Sequence, residues 1–246
     1  FILRLLCVWW LFTIVGSTVA VVLLKWSLIG KSESGRSIDL TGYQMVLDQF
    51  VRSRMVHLDL HFTELKGSCW YNMLMRLFGA SIGEGVQWFA PFPLEPDCIR
   101  VNDDSLISHG VDFFSHNIEN EKFTYESVHV NKQCLLGERS SLMGMSVMEP
   151  GSELLPCSQG MKAMRLRSEK VYGGNPADVV SWGAEIDLSK RIEKRRRYPW
   201  VRKGFMMPFT FRILPDVMCL KRQIYENFKF LVSWMLYWKI QISNFL

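Results

Sequence analysis

Paired-cysteine motifs are missing from this sequence. Its six cysteines form no CxxC motif and no metal-ligand spacing with histidine. The sequence therefore shows neither a zinc-finger signature nor a dithiol redox motif. A GxSxG elbow is missing as well, so the nucleophile of an α/β-hydrolase is not indicated. Scattered, unpaired cysteines favour a reducing compartment.

A large excess of one charge is also missing, since the formal net charge is only +5. Six basic residues lie together in residues 190–197 (KRIEKRRR). No stacking aromatic or base-reading motif accompanies this run, so nucleic acid is not an expected partner. A solvated linker beside a membrane is the favoured interpretation.

One long stretch, residues 5–24 (LLCVWWLFTIVGSTVAVVLL), carries no charge and lies between Arg4 and Lys25. It is long enough to cross a bilayer as one helix. It is also too long for the hydrophobic region of a signal peptide. We therefore expect residues 1–29 to form a transmembrane helix.

A second apolar cluster, residues 228–246, closes the chain. Its core between Lys229 and Lys239 is too short to cross a bilayer, which indicates a truncated span or an interfacial helix. We expect residues 186–246 to be a basic linker followed by membrane-associated helices. The start at Phe1 and this apolar end indicate a fragment of a longer protein.

Large apolar residues recur with a period of six in the second half of the chain. A helix repeats near 3.6 residues and a strand near 2, so neither explains this period. It is typical of a hexapeptide β-helix, where inward aliphatic side chains stack between rungs. The stacked positions are Val130, Leu136, Leu142, Met148 and Leu154, preceded by the series Ile82, Trp88, Leu94 and the series Val101, Ile107, Phe113. The small residues that fit the corners are Cys134, Ser140, Ser146, Ser152 and Ser158.

The expected fold class is therefore mainly β. It is a left-handed parallel β-helix of hexapeptide repeats, with flanking helices and at least one transmembrane helix. The β-helix domain covers residues 81–185, with rungs over about 82–164. Residues 114–123 break the repeat and are polar, which predicts a loop thrown outward from one corner.

Residues 30–80 are expected to supply a linker and capping helices for the open end of the coil. An amphipathic helix is predicted over residues 41–60, with Thr41 as its N-cap. A second short helix is predicted over residues 70–78. The expected apolar face of the first helix consists of Tyr43, Val46, Leu47, Phe50, Val51, Met55 and Leu58.

Two segments resemble those of hexapeptide-repeat acyltransferases. LFGASIGEGV (77–86) is similar to the first rung of that family, and VYGGNPADVV (171–180) is similar to its closing GNPA segment. SHNIE (115–119) is similar to a THxxE loop. The order of these segments resembles the membrane-embedded C-terminal region of ε-poly-lysine-synthetase-type nonribosomal peptide synthetases. The resemblance implies β-helical domains between transmembrane helices that join amino-acid units from a carrier-bound thioester.

The resemblance to hexapeptide-repeat acyltransferases implies that His116 is a catalytic general base. Near neutral pH an imidazole can accept a proton while an amine or hydroxyl attacks a thioester carbonyl. A carboxylate beside the ring, Glu119 or Glu121, would orient it and stabilise its charged form.

The implied donor is a CoA or phosphopantetheine thioester that is not tightly bound. Lys162 and Arg165 are expected to meet its phosphates close to Asn175. The implied partners are a membrane and either acyl-CoA or a carrier protein, with a homo-oligomer or tandem β-helix domains as possible assemblies.

No metal site is expected from the histidines. His109, His116 and His129 are seven and thirteen residues apart, which departs from the spacing of γ-class carbonic anhydrases. His57 and His61 lie one helical turn apart but have neither an HExxH glutamate nor a third ligand.

Two functions stay open at this point. One is a membrane-associated acyl- or aminoacyl-transferase-like domain of a larger synthetase, and the other is a catalytically silent scaffold or oligomerisation domain.

Basic residues follow the first span (Lys25, Lys31 and Arg36) and precede the last apolar cluster. Because basic flanks stay on the cytoplasmic side, the β-helix domain is expected on the cytoplasmic face of a membrane.

Overall fold

A long apolar helix begins the chain in the computed structural model, which describes residues 2–180. Helix α1 spans Ile2–Leu24 and continues as a π-helical turn over Lys25–Ile29. Within the described residues, Phe12–Ile29 is the one helical segment long and apolar enough to cross a membrane, and 11% of it is buried. So little burial is unlike the core helix of a soluble domain. The expected basic linker and apolar cluster of residues 186–246 lie outside the described residues.

Two further helices precede the coil, close to the expected positions. Helix α2 spans Tyr43–Phe62 and helix α3 spans Cys69–Leu77, with a short 3-10 turn at Thr63–Leu65 between them. Thr41 does not cap α2, because the N-cap position falls on Gly42 and has no side-chain hydrogen bond.

The apolar face expected for α2 is partly wrong. Val51, Met55 and Leu58 are buried, but Tyr43, Val46 and Phe50 are exposed. Met45 and three charged side chains occupy the rest of the buried face, and the partners of the charged groups lie inside the domain. These charged side chains are Asp48, Arg52 and Asp59.

Within residues 2–180, seventeen short strands follow or flank these helices. They are β1 (Ser37–Asp39), β2 (Ser81–Ile82), β3 (Gln87–Trp88), β4 (Ile99–Val101), β5 (Leu106–Ile107), β6 (Asp112–Phe114), β7 (His116–Glu119), β8 (Lys122–Tyr125), β9 (Val128–Val130), β10 (Leu135–Leu136), β11 (Ser141–Met143), β12 (Val147–Met148), β13 (Glu153–Leu154), β14 (Gln159–Gly160), β15 (Arg165–Leu166), β16 (Val171–Gly173) and β17 (Asp178–Val179).

Most of the strands form a three-faced coil of parallel strands. One face has the order β15-β12-β9-β4-β2, the second β16-β13-β10-β5-β3, and the third β14-β11-β6. From β9 to β16, successive strands pass from one face to the next in a fixed cycle. The antiparallel strand β17 closes the second face beside β16. The coil of parallel strands expected from the period of six is therefore present.

The expected stack forms the axis of the coil. Its last five positions are essentially inaccessible to solvent, and so are the five small corner residues. The coil also continues past residue 164, because Leu166 and Tyr172 keep the period of six and are buried in β15 and β16. Leu94 was wrongly placed in the stack, since it is 44% exposed and Phe92 is buried instead. A short 3-10 turn at Pro96–Cys98 interrupts the coil there.

The outward loop predicted at residues 114–123 is instead a β-hairpin. Strands β7 and β8 pair antiparallel, and β1 joins the other edge of β8. Asn120 and Glu121 form the two-residue turn, both with positive φ, as in a type I′ hairpin. Phe123 and Tyr125 lie on one face of β8 and are buried, while Glu119 and Lys122 at the hairpin end are exposed. This one-sided polarity explains why the segment looked like a loop.

Replacing a stacked residue should destabilise the coil far more than replacing the exposed Leu94. Leu142→Ala removes a fully buried side chain and should lower the free energy of unfolding by about 2–5 kcal/mol. Leu94→Ala should change it by about 0.5 kcal/mol or less. Urea unfolding of the full chain in detergent micelles measures both, and equal losses would contradict the exposed position of Leu94.

Candidate functional site

His116 lies at the base of the hairpin, where the chain leaves strand β6 of the coil. Its imidazole stacks on Phe123 across the hairpin, with ring centroids 4.8 Å apart and an interplanar angle of 18°. The ring is partly buried, so one side remains open to solvent. Sequence reasoning singled out this histidine, but the structure puts it against the domain rather than on a projecting loop.

The carboxylate beside the ring belongs to Glu95. Its Oε1 lies 3.1 Å from Nδ1 of His116, and the glutamate is fully buried. Within the described residues, neither Glu95 Oε2 nor His116 Nδ1 has a hydrogen-bond partner of good geometry. An unsatisfied buried polar atom requires an explanation, and a catalytic role is one of those that proteins show.

Arg52 of helix α2 holds Glu95 in place. Its Nη1 donates to Glu95 Oε1, and its Nε lies 2.5 Å from Asp48 Oδ2. The hydroxyl of Tyr125 donates to Asp48 Oδ1 at 2.9 Å. We call Asp48, Arg52, Glu95, His116 and Tyr125 the Arg52 cluster. It joins α2, the segment before β4 and the hairpin.

Burial and the charge of Arg52 favour the neutral form of His116. Burial lowers the pKa of His116 from its ordinary value of 6.5, and the positive charge of Arg52 lowers it further. Glu126 and Asp48 act in the opposite direction without reversing the shift. Burial also raises the pKa of Tyr125, so its hydroxyl stays protonated and can donate. A neutral imidazole is the form that accepts a proton.

Glu119 does not lie beside His116, which corrects the sequence-based expectation. Successive residues of a strand point to opposite faces, so residues 116 and 119 of β7 project on opposite sides. The side chain of Glu119 is 70% exposed, and its Oε1 lies 3.9 Å from Nζ of Lys162. Glu121 occupies the hairpin turn, away from the base where His116 lies.

The three residues expected to hold the donor are not joined by any hydrogen bond or ion pair within residues 2–180. Lys162 lies at a corner after β14, Arg165 is exposed on β15, and Asn175 is exposed between β16 and β17. Nζ of Lys162 donates instead to Oε1 of the nearly buried Glu126 at 2.7 Å. This hydrogen bond raises the pKa of Lys162.

The other histidines do not assemble a metal centre. The ring of His109 lies against that of Phe89, with centroids 5.1 Å apart and planes tilted by 40°. Nε2 of His129 lies 3.2 Å from the hydroxyl of Ser127. In the part of the chain that the structure describes, no three His, Cys, Asp or Glu side chains come close enough to hold a metal ion.

The base of α1 is fastened to the segment that supplies Glu95. Nζ of Lys25 donates to Oδ1 of Asp97 at 2.8 Å, and both side chains are buried. Gly79 makes room for Asp97, because a Cβ at that position would collide with the Asp97 carboxylate. Lys25, counted among the basic residues that follow the span, is therefore a buried ion-pair partner.

Sequence reasoning missed Glu95, Arg52 and Asp48. The available signal was the step of seven between Leu94 and Val101, which marks an interruption of the repeat around Glu95. Arg52 and Asp48 gave no signal, because nothing in the period of α2 shows which charged residues turn inward.

Comparison with known proteins finds similar solved structures but no matching family model and no matching curated protein. A galactoside acetyltransferase in complex with coenzyme A is 14% identical, with a TM-score of 0.45, over 64% of this chain and 90% of that chain. A hexapeptide-repeat acetyltransferase of Vibrio cholerae O1 biovar eltor, complexed with acetyl coenzyme A, is 12% identical, with a TM-score of 0.44, over 62% and 95%. A maltose O-acetyltransferase of Clostridium difficile 630 is 11% identical, with a TM-score of 0.40, over 63% and 95%. Because these TM-scores are below 0.5, the fold rests on the strand pairing described above and not on these likenesses.

His116 should titrate below pH 6.5, because burial and Arg52 both disfavour its charged form. A depressed folded-state pKa also means that the stability gained from the neutral ring is complete above pH 6.5. This stability is lost as the pH falls through the folded pKa. Imidazole NMR resonances followed against pH measure the pKa, with His116→Gln to assign the signal. A midpoint above 6.5 would contradict the described environment.

Proposed function

We propose that this chain is a membrane-associated acyl- or aminoacyl-transferase-like domain that acts on thioesters. The observation that carries the proposal is the imidazole of His116, whose Nδ1 lies 3.1 Å from the buried carboxylate of Glu95. In this proposal the coil winds to the left, and the domain is part of a larger synthetase of the kind that the sequence resembles.

The proposed chemistry transfers the acyl group from sulfur to nitrogen or oxygen. An acceptor amine or hydroxyl attacks the thioester carbonyl and gives its proton to Nε2 of His116. The C–S bond then breaks, and the proton passes to the leaving thiolate. Glu95 faces Nδ1, so its charge stabilises the imidazolium that forms between the two proton transfers. No metal takes part in these steps.

The proposed donor is coenzyme A or the phosphopantetheine arm of a carrier protein. Lys162, Arg165 and Asn175 are its proposed contacts, by the resemblance stated above. Lys162 would have to leave the carboxylate of Glu126 to bind a donor phosphate. Its ammonium group can form charge-assisted hydrogen bonds with either group.

The alternative function is a silent β-helical scaffold that forms homo-oligomers or joins tandem domains. The ion pair between Lys162 and Glu126 favours the scaffold, because Glu126 already neutralises the ammonium group that would bind a donor phosphate. Glu119 lies near the same ammonium and adds a second carboxylate to this surface.

Replacing His116 should remove activity without unfolding the domain. His116→Ala should lower kcat/KM by about a hundredfold or more, since a general base is lost. Glu95→Gln should lower it by a smaller factor, because the ring loses its charged partner. Urea unfolding of this variant separates that effect from the stability lost with the Arg52 ion pair. Thiol release from acyl-CoA and from an acylated carrier protein, with amine and hydroxyl acceptors, measures the rates, and circular dichroism checks the fold.

The controls for this experiment test the orienting role of Glu119, the catalytic role of His116 and the scaffold alternative. Glu119→Gln should leave the rate unchanged, and a loss as large as that of Glu95→Gln would return the orienting role to Glu119. Equal rates for wild type and His116→Ala would contradict the catalytic assignment. No thiol release by the wild type with any donor would favour the scaffold.

The proposed location is a membrane, with the β-helix on the cytoplasmic face, where thioester donors are made. Protease added outside intact cells should leave residues 82–164 uncut. Immunoblotting with an antibody against the coil follows the fragment, and permeabilised cells show that the same protease can reach it. Cleavage in intact cells would place the coil outside.

A further inference from the structure

An exposed apolar surface lies on helix α3 and at the end of α1. Trp70, Met73 and Leu77 are spaced three and four residues apart, so they lie on one face of α3. All three are exposed, and so is Trp26 in the π-helical turn after α1. The opposite face of α3 is buried against the domain through Tyr71, Leu74 and Met75. We call Trp26, Trp70, Met73 and Leu77 the α3 surface.

The α3 surface is continuous with the segment long enough to cross a membrane. Trp26 belongs to the apolar segment Phe12–Ile29, and its Nε1 donates to the backbone oxygen of Leu77 at 2.9 Å. Trp26 is three residues from the end of that segment, about 4.5 Å along a helix axis. Any bilayer that α1 crosses therefore has its headgroup region close to the C-terminal end of α3.

The base of α1 is also fixed to the domain at a second point. The buried ion pair between Lys25 and Asp97 restrains it next to Trp26. Two contacts on neighbouring residues, one to α3 and one to the segment before β4, restrain the orientation of α3 against the end of the span. The composition of the α3 surface suits headgroup depth, because tryptophan is enriched at membrane interfaces.

We infer that the α3 surface lies in the headgroup region of the bilayer that α1 crosses, as an interfacial contact separate from the span itself. This inference rests on the membrane association in the proposed function and is independent of the acyl-transfer chemistry. Side chains of α3 would bury apolar area among lipids, which makes the otherwise exposed stripe favourable.

Site-specific photocrosslinking of the full chain tests this contact. A diazirine amino acid replaces Met73, which is 51% exposed, or Met145 on the coil, which is 48% exposed and serves as the matched control. A third variant carries the probe at the exposed Phe12 within the span. Each protein is reconstituted in phosphatidylcholine–phosphatidylglycerol vesicles and irradiated, and lipid adducts are counted by mass spectrometry.

The expected result is several-fold more lipid adduct at position 73 than at position 145, together with strong adduct at position 12. Adduct at position 12 with equal yields at 73 and 145 would overturn the inference while leaving the span intact. Crosslinks from position 73 to a second copy of the chain would overturn it in favour of an oligomer interface. No adduct at position 12 would overturn it together with the membrane span, whatever the activity of the same samples.

Discussion

The buried ion pair between Arg52 and Glu95 is the interaction on which the rest of this structure depends. Both side chains lie out of reach of water, where an unpaired charge is very unfavourable. Asp48 and the hydroxyl of Tyr125 complete the arrangement, so the guanidinium is held by two carboxylates, one of which is fixed by a phenol. The aromatic rings of Phe123 and Tyr125 lie under the same guanidinium. One charged group thus joins a helix, a break in the coil and a hairpin.

This joint explains how a regular coil can carry a chemically distinct site. The parallel faces provide a rigid wall of repeated side chains, and the repeat itself offers no acid or base in its buried stack. The interruption before β4 places two acidic side chains in buried contacts. Glu95 contacts Arg52 and His116, and Asp97 contacts Lys25. The base of α1 and the candidate acid–base pair are therefore attached to the same few residues. Only Pro96 separates Glu95 from Asp97, so the two ion pairs lie on one short and conformationally restricted stretch of chain.

The period of six was enough to predict the coil, because each large apolar residue reports directly on its own burial. Leu136 and Leu142 could be placed in this way without knowledge of the rest of the chain. His116 could be noticed because it follows the point where the repeat breaks. Glu95 could not be assigned to it, since the two residues meet only through folding of distant segments. Glu119 was wrongly preferred because it is near in sequence, and only recognition of β7 as a strand shows that it faces away.

A double-mutant cycle between Arg52 and Glu95 tests whether this buried ion pair stabilises the fold. The full chain in detergent micelles is unfolded in urea as wild type, Arg52→Met, Glu95→Gln and the double variant. Arg52→Met should lower the free energy of unfolding by about 3–5 kcal/mol, because it leaves the buried carboxylates of Glu95 and Asp48 without a cation. Glu95→Gln should lower it by less, because Asp48 still faces the guanidinium. The double variant should lose less than the sum of the two, by about 1 kcal/mol or more, as expected for residues in contact. Additive losses would show that Arg52 and Glu95 do not interact, and would contradict the account.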